Sequence, residues 1–190
     1  KGNVYFFDRN TKRVRKVDTA GIITTFAGDG SITPAGDGGP ATAAGLGSDG
    51  FGLCADTIGN MYISVGGFIR KVDTGGIITT IAGIGISGNS GDGGMADTAK
   101  IITSDGQIAI DKYGSIYIAS GPYIRKINTA GFITTIAGNG TNIYSGDGSP
   151  ATTTGLGNTM GVFPDSNGNV YIAANSLSRV YKVNPAGIIT

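Results

Sequence analysis

Histidine, tryptophan and glutamate are absent from the 190-residue chain, and its 13 acidic residues are all aspartate. Without histidine, the chain cannot build a Ser-His-Asp triad, a Cys-His pair or a histidine-ligated zinc site. It has one cysteine, Cys54, so an internal disulfide is excluded. No apolar run approaches the roughly 20 residues of a membrane-spanning helix. The net charge of +1 provides little attraction for nucleic acid.

Residues that favour helices are also scarce. Leucine occurs four times and glutamine once, whereas isoleucine and valine together number 34 and glycine numbers 35. Isoleucine, valine and threonine suit pleated strands, and glycine, aspartate and asparagine suit tight turns. The composition therefore predicts an all-β chain with many turns.

Several short motifs recur along the chain in the same order, with a period of 54 to 57 residues. Each unit predicts four short strands: an apolar first strand, a second strand with a tyrosine, a third strand with an Arg-Lys pair and a fourth Ile-Thr-Thr strand. Asp56, Asp111 and Asp165 follow the first strands, where we expect their side chains to cap tight turns. A glycine-rich loop then leads to the next unit.

This organisation is typical of a β-propeller, in which four-stranded antiparallel blades pack face to face around an axis. The sequence predicts a single propeller segment over 1–190 with about four blades and 15 strands, because the first unit begins at its second strand. The blades are predicted at approximately 1–28 (partial), 51–83, 106–138 and 160–190, and the loops at 29–50, 84–105 and 139–159.

The motifs Gly-Asn-x-Tyr-Ile-Ala, Ile-Arg-Lys-Val-Asp-x-x-Gly-x-Ile-Thr-Thr-Ile-Ala-Gly and Gly-Asp-Gly-Gly-Pro-Ala-Thr-x-Ala-x-Leu resemble those of the NHL-repeat β-propeller family. The resemblance implies a propeller of about six blades, so we expect the chain to be part of a larger propeller or to be completed by a partner. NHL propellers serve as protein-binding, RNA-binding or enzymatic modules, so the fold does not determine the function. Resemblance to the amidating lyases of this family would imply metal-ligating histidines, which this chain lacks.

Asp37, Asp92 and Asp147 lie at the centre of the recurring Gly-Asp-Gly motif, 55 residues apart. One interpretation is structural: each carboxylate accepts hydrogen bonds from backbone N–H groups of the following turn, at 40–46 in the first loop. The alternative is calcium coordination, because calcium prefers carboxylate and carbonyl oxygens. We expect no cofactor, with calcium as the alternative.

Arg15, Arg70 and Arg125, each followed by a lysine, recur on the predicted third strands. One or two charges per blade do not form a continuous basic groove, so nucleic acid is not expected as a partner. We expect the long side chains to cover apolar surface and to pair with Asp18 and Asp73.

The absence of histidine and glutamate favours a non-catalytic scaffold or interaction module. Its long loops and its turns between second and third strands are expected to open on one face, and loops on a rigid scaffold carry recognition. The candidate binding residues on these turns are Arg9, Phe68, Tyr123 and Asn175. We expect a protein partner or self-association, with a glycan as a further ligand class.

The charged fraction of 14% and the abundance of glycine, threonine and asparagine favour an exported protein, located outside the cell or on its surface. Two alternatives stay open. The first is an enzyme or calcium-dependent module that uses aspartates in the loops or the channel. The second is an RNA-binding propeller.

Overall fold

The computed structural model describes residues 2–48, 50–104 and 106–190; residues 1, 49 and 105, which fall in the predicted first blade and two predicted loops, lie outside the described residues. The described part forms 14 strands in four antiparallel sheets, named blades 1 to 4 in chain order. The strands are β1 (Val4–Asp8), β2 (Arg13–Val17) and β3 (Ile23–Ala27) in blade 1; β4 (Gly50–Ala55), β5 (Met61–Val65), β6 (Phe68–Val72) and β7 (Ile78–Ala82) in blade 2; β8 (Ile108–Ile110), β9 (Ile116–Ser120), β10 (Tyr123–Ile127) and β11 (Ile133–Ala137) in blade 3; and β12 (Thr159–Pro164), β13 (Val170–Ala174) and β14 (Arg179–Val183) in blade 4.

The helices within the described residues are short 3-10 segments. They lie in the three long loops, at Ala41–Ala43, Ala96–Thr98 and Ala151–Thr153. Across the described ranges, no helix has the length and apolar character needed to cross a membrane.

The strands of each blade follow one another in chain order, and each pairs with its neighbours in antiparallel register. The predicted all-β architecture of antiparallel blades is confirmed. The expected fifteenth strand is reduced to a bridge between Val183 and Ile189, beside two backbone hydrogen bonds between Lys182 and Thr190. The predicted strand number was therefore one too high, because this pairing ends after a single bridge.

The core consists of three apolar layers, one between each pair of neighbouring blades. Val14 and Ala27 of blade 1 pack with Ile63 and Val72 of blade 2, for example, and all four are fully buried. Alternate residues of one strand face opposite sides of a sheet, so blades 2 and 3 contribute to two layers each. A single sheet would leave its apolar faces exposed to water. Stacking buries these faces between neighbouring blades and so stabilises the repeats together.

The recurrent tyrosine of the second strand joins this packing to the tight turns. Tyr62 is 8% exposed and lies in the layer between blades 2 and 3, and its hydroxyl donates to the Asp56 carboxylate at 3.2 Å. Asp56 also accepts hydrogen bonds from the N–H groups of Ile58, Gly59 and Asn60. Burial opposes ionisation of Asp56, but its hydrogen bonds outweigh burial and lower its pKa. The predicted turn-capping role is confirmed.

Candidate functional site

The third strands of blades 2 and 3 each bury an arginine that forms an ion pair with the aspartate of a Gly-Asp-Gly motif. Arg70 Nη2 lies 2.6 Å from Asp37 Oδ1, and Arg125 Nη2 lies 2.5 Å from Asp92 Oδ1. The arginine side chains are at most 1% exposed, whereas the aspartates are about half exposed. The aspartate comes from the loop that precedes the blade, so the pair ties each loop to the next sheet.

Further hydrogen bonds surround the Arg70 pair. The Arg70 guanidinium donates to the carbonyl oxygens of Gly45 and Ala35, both in the same loop. The second oxygen of Asp37 accepts from the N–H of Thr80 on β7 at 2.9 Å. The buried guanidinium thus provides a donor for the carbonyl of Gly45, which is itself a buried residue.

These contacts correct two expectations. Asp37 bonds to Arg70 and Thr80, rather than to the following turn at 40–46. Asp18 and Asp73 each accept from two N–H groups of their own turns, and so cap these turns in place of pairing with an arginine. The physical reason is that a short aspartate side chain reaches its own turn more readily than an arginine that points into the interior.

The pKa of Asp37 is lowered in the folded chain. Burial opposes its ionisation, but the hydrogen bonds from Thr80 and the charge and hydrogen bond of Arg70 outweigh burial. A lowered pKa means that Asp37 stabilises the fold above its ordinary value of 3.8, and that this contribution is lost as the pH falls through the lowered value.

We therefore expect the free energy of unfolding of the unmodified chain to fall more steeply below about pH 4 than that of the Asp37→Asn variant. Urea titrations at a series of pH values measure both curves. Asp97→Asn, which removes an exposed carboxylate from the turn Ala96–Thr98, should keep the steep curve of the unmodified chain. Parallel curves for the unmodified chain and Asp37→Asn would contradict the expectation.

The third Gly-Asp-Gly motif has different partners. Tyr181 occupies the position of Arg70 and Arg125 in blade 4, and its buried hydroxyl has no hydrogen-bond partner among the described residues. Its ring lies 4.9 Å from that of Tyr144, whose hydroxyl donates to Asp147. Burial and this hydrogen bond raise the pKa of Tyr144 to about 12. A pair of aromatic rings therefore replaces the ion pair.

Calcium binding by Asp37, Asp92 and Asp147 stays a prediction. Arg70 and Arg125 already contact the first two carboxylates, and the carboxylate of Asp147 accepts from a tyrosine. Within the described residues, no three His, Cys, Asp or Glu side chains are grouped as metal ligands would be. A calcium ion at the first two positions would have to compete with a guanidinium.

The long loops and the turns between second and third strands meet on one face of the molecule, which we call the loop face. Lys12 Nζ donates to the Ser48 carbonyl, and the Gly67 N–H donates to the Thr103 hydroxyl. The Thr159 hydroxyl likewise donates to the Gly121 carbonyl at 2.6 Å. Each contact joins the end of a long loop to the turn of the preceding blade, so the predicted arrangement holds for the loop ends, whereas the Gly-Asp-Gly part of each loop lies against the outer edge of the next blade.

A cavity of about 230 Å³ opens on the loop face beside the turn of blade 2. Its lining consists of glycines and small hydroxyl side chains: Ser48, Gly66, Gly67, Gly85, Ser87, Thr103 and Ser104. Backbone groups and hydroxyls can both donate and accept hydrogen bonds. The cavity therefore suits a polar surface group of a partner.

The four candidate binding residues occupy equivalent ends of the blades without forming one cluster. Phe68 and Tyr123 begin β6 and β10, and each packs against a glycine of the loop that leaves its own blade, Gly85 or Gly140. Both side chains are partly buried, so each ring already contacts its own chain over part of its surface. Arg9 and Asn175 lie exposed in the turns of blades 1 and 4. Their roles in binding stay predictions.

Cys54 lies on β4 and packs against the layer between blades 2 and 3. Burial, with a smaller effect from the Asp56 charge, raises the pKa of its thiol to about 12. A thiol that stays protonated is a poor nucleophile.

A protein-family model described as the teneurin NHL domain matches residues 84–145. Teneurin-1 of Gallus gallus is 52% identical over 48 residues, which is 25% of this chain and 2% of teneurin-1. The expected resemblance to NHL-repeat proteins is thus confirmed. The matched range runs from the loop after blade 2 to the loop after blade 3.

Solved structures that resemble the chain include bacterial proteins of differing description. A Bacteroides thetaiotaomicron protein of unknown function has a TM-score of 0.71 at 18% identity, over 95% of this chain and 44% of its own. An auxiliary nutrient binding protein from Bacteroides ovatus has a TM-score of 0.69 at 17% identity, over 100% of this chain and 45% of its own. A virginiamycin B lyase from Staphylococcus aureus has a TM-score of 0.59 at 15% identity, over 99% of this chain and 50% of its own. The chain thus spans about half the length of these structures, and the similarity supports the fold alone.

Proposed function

We propose that the chain is a non-enzymatic protein-interaction module whose recognition surface is the loop face. The observation that carries the proposal is the set of hydrogen bonds joining each long loop to a turn, as Thr103 joins Gly67. A loop surface held by such contacts loses little conformational entropy when a partner binds. The match to a teneurin NHL domain supports a module of this general kind.

The chemistry of the loop face suits a polar partner surface. Ser87, Ser104 and glycine backbone groups line its cavity, so hydrogen bonds rather than charge would select the ligand. A folded protein with exposed hydroxyl and amide groups fits this lining best, and a glycan is the second ligand class. We place the module outside the cell, on the basis of its low charge and its abundance of glycine, threonine and asparagine.

The proposal predicts that a bulky charge at the cavity blocks partner binding. The purified chain is screened by biolayer interferometry against a panel of secreted proteins and a panel of glycans. A protein bound by the unmodified chain should bind Ser87→Arg at least about tenfold more weakly, because the new side chain fills the cavity. Thr79→Arg, on an exposed position of β7, is the matched control and should bind normally.

Two results would overturn this proposal. Equal binding by Ser87→Arg and the unmodified chain would place the recognition surface elsewhere. Binding to glycans with no bound protein would assign the cavity to the second ligand class. Thermal melts of both variants separate loss of binding from loss of folding.

A further inference from the structure

The outer edge of blade 1 exposes positions that are covered in every other blade. Ile23 on β3 is 49% exposed, whereas its equivalents Ile78, Ile133 and Ile189 are fully buried. Arg15, the equivalent of the buried Arg70, is only partly buried and donates from Nε to the Thr24 carbonyl at 3.3 Å.

Blade 2 shows what covers such an edge. The loop from blade 1 runs along β7: the Gly38 N–H donates to the Ile78 carbonyl, and the Ile78 N–H donates to the Gly39 carbonyl. The Ala41 N–H then donates to the Gly76 carbonyl at 2.8 Å. Asp37 completes the contact through Arg70 and Thr80, as described above. The loop thus adds a short antiparallel segment to the sheet.

Blade 3 repeats every one of these contacts with the next loop. Asp92 bonds to Arg125 and to the N–H of Thr135. Gly93 and Gly94 exchange backbone hydrogen bonds with Ile133, and the Ala96 N–H donates to the Gly131 carbonyl. Blade 4 keeps the backbone part of this arrangement, since Gly148 and Ser149 pair with Ile189 although Tyr181 replaces the arginine. The isoleucine edge is therefore common to the covered blades, and in blades 2 and 3 an arginine and a threonine N–H add the contact to the aspartate.

Blade 1 carries the complete acceptor. Arg15 lies opposite Thr25, as Arg70 lies opposite Thr80, and Val17 lies opposite Ile23, as Val72 lies opposite Ile78. Within residues 2–48, 50–104 and 106–190, no segment makes the corresponding hydrogen bonds to Ile23 or places an aspartate on Arg15.

We propose that this edge of blade 1 is a binding site for a peptide segment of the Gly-Asp-Gly-Gly-Pro-Ala type. The aspartate would bond to Arg15 and the Thr25 N–H, and the following glycines would pair with Ile23 as an added strand. This mode combines backbone pairing for affinity with one charged contact for selectivity. The site lies on the outer strand of blade 1 and is independent of the function proposed for the loop face.

A synthetic peptide with the sequence of residues 34–46, Pro-Ala-Gly-Asp-Gly-Gly-Pro-Ala-Thr-Ala-Ala-Gly-Leu, tests the site against the intact chain. Fluorescence anisotropy of the labelled peptide measures affinity, and NMR follows the backbone amides of Ile23 and Thr25. We expect saturable binding with shifts at both amides. The same peptide with Asp37→Asn should bind at least about tenfold more weakly, because a hydrogen bond between charged groups is lost.

Protein variants test the other side of the contact. Arg15→Gln should lower affinity to the level of the asparagine peptide. Lys16→Gln removes the same charge from the opposite side of β2 and should leave affinity within about twofold of the unmodified chain. Because the asparagine peptide leaves the protein unchanged, the comparison of peptides holds even if Arg15→Gln folds poorly.

Three outcomes would overturn the assignment. They are equal binding of the two peptides, shifts confined to residues away from β3, and absence of binding at millimolar peptide. A second copy of the chain is the competing occupant of the edge. It would appear as a mass that rises with protein concentration while the labelled peptide fails to bind.

Discussion

Replacement of the buried arginine of blade 2 by alanine, Arg70→Ala, is expected to lower the free energy of unfolding by about 3 kcal/mol. The change leaves the carbonyl oxygen of the buried residue Gly45 without its donor, and it also removes the donor to Ala35, an exposed residue. It also opens a cavity where a large side chain was fully enclosed. Asp37 adds less to the loss, because its carboxylate is half exposed and can be hydrated.

Urea denaturation at pH 7 measures the effect, and hydrogen exchange localises it. The Thr80 amide should exchange faster in Arg70→Ala, because its bond to Asp37 depends on the ion pair. Arg15→Ala is the matched control at the equivalent position of blade 1, where the side chain is partly exposed and pairs with no acid among the described residues. It should cost less than about 1 kcal/mol. Equal losses in the two variants would show that burial of Arg70 has no energetic role.

The fold was predictable because the same motifs occur several times along the chain. A single four-strand pattern is ambiguous, but the same order of motifs every 55 residues or so implies identical units that stack. The turn caps followed from local chemistry, since Asp56 reaches N–H groups within four residues of itself. Local contacts of this kind depend on spacing that a sequence displays directly.

The ion pairs were not predictable by the same route, because their partners are distant along the chain. Asp37 and Arg70 are 33 residues apart, and so are Asp92 and Arg125. The constant separation did not identify the partners, because every pair of positions in the repeat keeps its spacing, including Asp37 and Lys71, two described residues that form no ion pair with each other. The tyrosine at 181 breaks the pattern, and the added Tyr144 in the preceding loop accompanies that break.

The contact between loops and turns also required the folded chain. Gly67 and Thr103 lie 36 residues apart, and no motif marks threonine 103 as the acceptor. What the sequence did display was a glycine at 28, 83 and 138, always at the end of a fourth strand. The structure explains this recurrence, because each of these glycines adopts a positive φ where the chain passes close to a neighbouring turn.

Substitution of the middle one, Gly83→Ala, is accordingly expected to lower the free energy of unfolding by at least about 3 kcal/mol. Its φ is +90°, and a Cβ placed there would lie 2.0 Å from the Gly67 carbonyl oxygen and 3.0 Å from the Phe68 Cα. Both obstructing atoms belong to the backbone, so no side-chain rotation relieves the overlap. The loop and the turn would have to separate, which breaks the contact on which the loop face depends.

Gly76→Ala separates the two sources of this cost. Gly76 has a φ of +81°, close to that of Gly83, but a Cβ there meets nothing within 4 Å. Its substitution should therefore cost only about 1 kcal/mol, the price of the left-handed conformation alone. Urea denaturation measures the free energy of unfolding of both variants, and the difference between the two values is the cost of the steric overlap. If Gly76→Ala were as damaging as Gly83→Ala, backbone conformation alone would explain the recurrent glycine, and close packing of loop against turn would not.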